Sequence, residues 1–188
     1  DIGKKYENLN LVVCHMGGGT SVAIHKNGRI IDGNNGLDGD GPFSTDRSCG
    51  LPVGALIDMC YSGKYTYQEM RRKIKGLGGL MSYVGETDVE LIQKKACEEH
   101  NKACEEALDA MCYQTSKEIA AMSSVVNGKV DAILITGGIA NSKYLMDKII
   151  ERVSFIAPVH LYPGEFEMES LGTNAYKALI KEVPINEL

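Results

Sequence analysis

The chain has no tryptophan, three phenylalanines and five prolines in 188 residues, and its 20 basic residues are outnumbered by 25 acidic ones. Each shortage excludes something. A net charge of −5 argues against a nucleic-acid groove, because gripping a phosphate backbone takes clustered Lys and Arg. The short basic run Arg71-Arg72-Lys73 with Lys75 reads as solvated helix surface. No run of 18 apolar residues offers a membrane span, and residues 1–5 carry neither the apolar stretch nor the cleavage site of a secretory leader. The expectation is a cytoplasmic chain with neither membrane nor nucleic-acid partner. Its six cysteines contain no C-x-x-C pair, so they read as reduced core thiols, with 97, 104 and 112 at helical spacing on an apolar face. An opening without Met, straight into a strand-bound segment, suggests a piece of something longer.

What the chain has in quantity is glycine, placed at strand ends. Leu11-Val12-Val13-Cys14-His15-Met16 breaks into Gly17-Gly18-Gly19-Thr20-Ser21, and Ile133-Leu134-Ile135-Thr136 breaks into Gly137-Gly138-Ile139. A buried strand ending in glycines lets main-chain N–H groups approach a phosphate that any Cβ would hold away. Two such breaks in one domain point to a nucleotide held at both ends.

Apolar patterning orders the elements. Residues 9–16 form a continuous apolar run and residues 21–26 alternate; Asn27-Gly28 supplies a type I′ turn into a third strand at 29–32. A long loop rich in Gly and Asp follows, from Gly33 through Gly50. Helices are predicted at 52–61 after Pro52, at 66–76 from the capping box Thr66-x-x-Glu69, from a second box Thr87-x-x-Glu90, and at 101–126. In the last, positions 103, 107, 111, 115, 119, 122 and 126 trace one apolar face, and Asn127-Gly128 closes it. The final third alternates: strand 130–136, a helix N-capped by Asn141 and running to 153, strand 159–162, helix 165–181. The whole reads β-β-β-(helical insert, about 51–100)-β-α-β-α, an α/β domain whose mixed five-stranded sheet is antiparallel in its first hairpins and parallel in its last strands.

In a dinucleotide-binding fold the glycine fingerprint leads from a strand into a helix; here it leads into another strand. That order suits the phosphate-gripping hairpin of actin-like (ribonuclease H-like) ATPases. Arg47, in the long loop, is either a fixed fork for a phosphoryl or carboxylate group or a surface ion pair with Asp46 or Asp40. His15, at a strand end beside the glycines, is either a donor to a phosphoryl oxygen or a satisfied strand-end histidine. Glu165 and Glu167 suit a helix N-terminus whatever their function, and Asp38 and Asp40 read as metal-shell candidates or as a solvated turn.

Several motifs together resemble the butyrate kinases of the acetokinase family: His15-Met16-Gly17-Gly18-Gly19-Thr20-Ser21, Leu37-Asp38-Gly39-Asp40-Gly41-Pro42-Phe43-Ser44, Arg47-Ser48, Gly76-x-Gly78-Gly79-Leu80, Thr136-Gly137-Gly138-Ile139-Ala140 and Tyr162-Pro163-Gly164-Glu165. They span the chain, which then corresponds to the C-terminal, nucleotide-binding half of a two-domain acid kinase whose N-terminal domain is absent. The resemblance implies reversible transfer of the ATP γ-phosphoryl to a short-chain carboxylic acid, giving ADP and an acyl phosphate, with Mg²⁺ and a homodimer formed through this domain. By resemblance Arg47 and His15 are catalytic, Gly17, Gly18, Gly19 and Thr20 hold phosphate, and Gly137, Gly138, Ile139 and Asn141 hold the adenosine. Cys14, Pro42 and Phe43 would line the acid's alkyl chain, and Glu165 or Glu167 would help hold the metal. A non-catalytic ATP-sensing or assembly module of the same fold is the competing expectation; it has no use for an anion clamp at Arg47.

Overall fold

A computed structural model describes residues 2–164 and 167–183. Its centre is a five-stranded sheet in the order β3-β2-β1-β4-β5, made of β1 (Asn10–Met16), β2 (Thr20–Lys26), β3 (Arg29–Gly33), β4 (Ala132–Gly137) and β5 (Val159–Pro163). β1, β2 and β3 pair antiparallel, while β4 joins β1 and β5 joins β4 in parallel, as the patterning predicted. Asn27 and Gly28 take φ of 54° and 72°, the two positive values a type I′ hairpin requires. β1 thus sits mid-sheet with both glycine breaks at its C-terminal end.

The main core lies between one face of this sheet and two helices, α5 (Lys102–Ser124) and α6 (Lys143–Val153). Val12, Cys14 and Met16 from β1 meet Leu108, Met111 and Ile119 from α5 and Leu145 and Ile149 from α6, all of them buried. α5 buries the predicted stripe from 107 onward, but Ala103 is exposed and Cys104 takes the inward place. Between sheet strands β3 and β4 come four shorter helices: α1 (Val53–Tyr61), α2 (Tyr67–Ile74), α3 (Gly79–Val84) and α4 (Val89–Cys97). A last helix, α7, runs Glu167–Leu179. No helix among the described residues is long and apolar enough to cross a membrane.

Two caps differ from the expectation. The box at Thr66 forms as read, with Thr66 Oγ1 accepting from Glu69 N–H at 3.3 Å and the Glu69 carboxylate accepting from Thr66 N–H at 2.7 Å. At α4, however, the cap is Asp88, whose carboxylate accepts from the N–H groups of Glu90 and Leu91, while Glu86 takes those of Thr87 and Asp88. The helix that follows buries Ile92 and Ala96. At α6 the cap is Ser142 and not Asn141, because a 3-10 turn over Gly138–Asn141 already uses Asn141, whose Nδ2 donates to the Gly138 carbonyl. The thiols also divide: all six are free, but only Cys14, Cys104 and Cys112 are buried, and Cys97 lies exposed on α4.

Candidate active site

The glycine turn between β1 and β2 closes on itself through Gly17 N–H donating to the Gly19 carbonyl at 2.9 Å. Its remaining carbonyl, on Gly18, accepts from Ser44 Oγ at 2.8 Å and Thr45 Oγ1 at 3.2 Å. The long loop is therefore pinned to the turn. Asn34 fastens its other end: Oδ1 accepts from Val22 N–H, and Nδ2 donates to the carbonyls of Thr20 and Asp40.

Residues 44–48 are clasped from behind by 74–80. The Asp46 carbonyl accepts from Gly76 and Gly78 N–H at 2.8 and 3.1 Å, and the Ser44 carbonyl from Leu80 N–H at 3.0 Å. A Cβ on Gly79, whose φ is +57°, would lie 2.1 Å from the Ser44 carbonyl oxygen, so any side chain there would pry the two segments apart. That close approach is the physical content of Gly76-x-Gly78-Gly79.

The clasp fixes Arg47. Its guanidinium lies against Gly19, where an added Cβ would come within 2.1 Å of Nη1. Its side chain is 24% exposed, its Nε is buried without a hydrogen-bond partner, and Asp46 Oδ1 stands at 3.8 Å. Of the two ion-pair partners weighed for it, Asp46 is near but long and Asp40 is spent elsewhere, accepting from Asn35 and Gly41 N–H. A buried donor left unmade costs about 1–3 kcal/mol, so such a group argues for a ligand. His15 comes to the same place: its Nδ1 lies 2.9 Å from Thr136 Oγ1, its register partner on β4, which links the two glycine breaks through one side-chain contact.

Two cavities flank the glycine turn. One, of about 650 Å³, is lined by Gly17, Gly18 and Thr45 on one side and by Gly138, Ile139 and Asn141 on the other. The second, of about 370 Å³, holds His15, Gly19, Thr20, Asn34, Leu37 and Arg47. The larger has the volume usual for a cofactor-sized ligand, and its glycine floor leaves room for one. The phosphate-holding set predicted from sequence is thus split, with Gly17 and Gly18 on the larger cavity and Gly19 and Thr20 on the smaller. Thr20 is 2% exposed and its Oγ1 is buried without a hydrogen-bond partner.

Other predicted residues fall outside the site. Gly137 does not line the larger cavity; its φ is +94° and a Cβ would meet the Met16 carbonyl oxygen at 2.3 Å, so it serves the approach of β4 to β1. Cys14 is wholly buried in the core, its thiol pushed up to about 12 by burial, because side chains alternate along a strand and those of its neighbours His15 and Val13 take the other face. Phe43 is also core, its ring 5.4 Å from that of Tyr83, and Pro42 packs towards α5 beside Gln114 and Lys117. None of the three lines either cavity, so the expected alkyl pocket is not where they are. Asp38 pairs with Arg71 at 2.8 Å, and with Asp40 committed to loop N–H groups the expected metal role of both gives way to holding the loop. Glu165 lies outside the described residues, and Glu167 is described only as the start of α7. Among the described residues no group of three or more His, Cys, Asp or Glu is placed to hold a metal ion.

One wall escaped the sequence reading. α4 brings Thr87, Asp88 and Gln93 to the larger cavity, opposite Ser142, and Ser142 Oγ donates to Gln93 Oε1 across 49 positions of sequence. The capping signal marked where α4 starts; nothing local says what it faces.

A mixed sheet with this strand order and a glycine hairpin beside a second glycine hinge is the actin-like ATPase fold. The crystal structure of acetate kinase from Porphyromonas gingivalis superposes with a TM-score of 0.84 at 20% identity, over 95% of this chain and 51% of that one. Acetate kinase from Entamoeba histolytica gives 0.83 at 17% identity, over 95% and 53%. The chain belongs to the acetokinase family, whose model matches residues 1–172. It is 53% identical over 183 residues to a probable butyrate kinase of Bacteroides thetaiotaomicron, covering 97% of this chain and 52% of that protein. Against butyrate kinase 1 of Clostridium acetobutylicum it is 48% identical over 187 residues, covering 100% and 52%. The chain spans about half the length of the curated relatives it matches.

Proposed function

We propose that these residues form the C-terminal, nucleotide-binding domain of a two-domain butyrate kinase, which transfers the γ-phosphoryl of ATP reversibly to butyrate or a related short-chain carboxylate. The observation that carries this reading is the pair of cavities on opposite sides of one glycine turn, with Arg47 at the second, its Nε buried and without a hydrogen-bond partner. Adenosine would occupy the larger cavity, over Gly138 and Ile139 and beside Asn141. Gly17 and Gly18 would face its phosphates.

Phosphoryl transfer asks for positioning and for neutralisation of charge on the moving group. A carboxylate oxygen of the acceptor forms the new bond to phosphorus as the bond to the ADP oxygen breaks. Arg47 offers a planar fork of N–H donors on the acceptor side of the turn, held in place by Gly19 and by the clasp behind it. His15 Nδ1 shares a hydrogen bond with Thr136 Oγ1; in the tautomer that accepts it, Nε2 carries the proton and would serve as a second donor to the oxygens of the moving phosphoryl. Mg²⁺ supplies charge neutralisation when bound; the described residues do not by themselves assemble its site.

A homodimer through this domain is part of the same reading. α1 supports it, since Val53, Ile57 and Tyr61 are all exposed on a helix that buries none of its residues. An ATP-sensing module has no use for a guanidinium with an unmet Nε donor on the acceptor side, which favours the enzyme. The deciding experiment is steady-state acyl-phosphate formation by the full-length protein with butyrate and acetate. Arg47→Lys keeps the charge and loses the fork, and a fall in kcat of about 100-fold, roughly 3 kcal/mol, is expected with a smaller change in nucleotide KM. Parental turnover in both Arg47→Lys and Arg47→Ala would overturn the catalytic role.

A further inference from the structure

The smaller cavity is polar nearly all round. Arg47, His15, Thr20, Asn34 and the glycines supply charge, hydrogen-bonding groups and backbone, and Leu37 carries the one apolar side chain among its described lining residues. Leu37 is 55% exposed, so its side chain is open to a ligand in this cavity. Its backbone is held firmly: Asn35 Oδ1 accepts from Leu37 N–H at 3.2 Å, the Asn35 carbonyl accepts from Asp38 and Asp40 N–H at 3.3 Å each, and Asp38 is tied to Arg71 at 2.8 Å. The turn therefore presents Leu37 from a fixed position beside the anion-binding groups.

We propose that Leu37 is the apolar wall against which the acceptor's alkyl chain packs, so that it sets the preference for butyrate over acetate; this rests on the kinase reading above. Arg47 stands at the charged end of the acceptor where it meets the phosphoryl that His15 addresses, and Leu37 is the lining residue that suits its hydrocarbon end. It takes the role that the buried Cys14 and Phe43 cannot fill. Burying one methylene is worth about fourfold in binding, and butyrate exceeds acetate by two, so the ceiling on discrimination is roughly 15-fold. One wall accounts for about fourfold of that.

The test measures kcat/KM for acetate, propionate and butyrate on the full-length protein, with thermal melts confirming that each variant is folded. Leu37→Ala and Leu37→Asn should each lower the butyrate-to-acetate ratio about fourfold, and Leu37→Met should restore it. A ratio within twofold of the parent in Ala and Asn, or an equal fall for all three acids, would overturn the role of Leu37, the second result placing it against the rest of the enzyme. A folded parent with no turnover on any acid would overturn the kinase reading, and this proposal with it.

Discussion

Burial and an unmade hydrogen bond coincide at Arg47, and Gly19 is what allows the guanidinium to stand there. Because an added Cβ would come within 2.1 Å of Nη1, Gly19→Ala should displace the fork while leaving the larger cavity intact. In the full-length protein its kcat is expected to fall by about 100-fold, close to the effect of Arg47→Lys, with nucleotide KM changed only severalfold. Steady-state kinetics decide it; parental kcat in Gly19→Ala would mean that Arg47 is not held by this contact. Two thiols make a separate prediction. Burial pushes Cys14 and Cys112 from 9.0 up to about 12, with Asp109 adding to the effect at Cys112. Their folded pKa lies above the unfolded one, so their contribution is whole below pH 9 and is lost as pH rises from about 9 towards 12, as the unfolded chain gives up protons that the folded chain keeps. The thermal midpoint of Cys14→Ala/Cys112→Ala should start lower at pH 7 and fall less steeply above pH 9 than that of the parent; equal slopes would contradict it.

At the level of elements, two caps of similar strength have different consequences. Thr66 caps α2 away from both cavities, whereas Ser142 caps α6, donates to Gln93 of α4 and lines the larger cavity. Thr66→Ala and Ser142→Ala should each cost about 1 kcal/mol of stability. Only Ser142→Ala is expected to weaken nucleotide binding as well, because it also unties α4 from the far wall. Melts and calorimetric titrations run in parallel separate the two effects, and unchanged affinity in Ser142→Ala would show that the tie is structural only.

For the molecule as a whole, the nucleotide cavity is assembled between β1, β4, α4 and α6, so ligand and fold are linked. A nucleotide at 100 times its Kd should raise stability by about 2.7 kcal/mol, visible as an upward shift in thermal midpoint with Mg-ADP or Mg-ATP. Binding by this chain alone should be weak, since it corresponds to about half of its relatives. Gly138→Val should abolish the shift while keeping the fold, because a branched side chain would fill the floor of the cavity. A folded chain that shows neither shift nor heat up to millimolar nucleotide would count against the site.

Strand alternation, the Asn27-Gly28 turn, the Thr66 box and the glycine breaks are local signals, written in hydrophobic period and in backbone conformations few residues adopt, and from them the sequence by itself determined the mixed sheet and the end of it where the site lies. The same locality explains the errors. Cys14 and His15 are neighbours in sequence, but which of them faces the core depends on the helices that cover the sheet. Thr87 and Asp88, or Asn141 and Ser142, are both good caps, and the choice between them falls to the packing of the helix that follows. Contacts between distant segments were decided by the tertiary structure alone: Gly19 beneath Arg47, Gly79 against Ser44, and Gln93 at Ser142. Each depends on two stretches of chain being brought within a few ångströms, and no pattern within either stretch carries that distance.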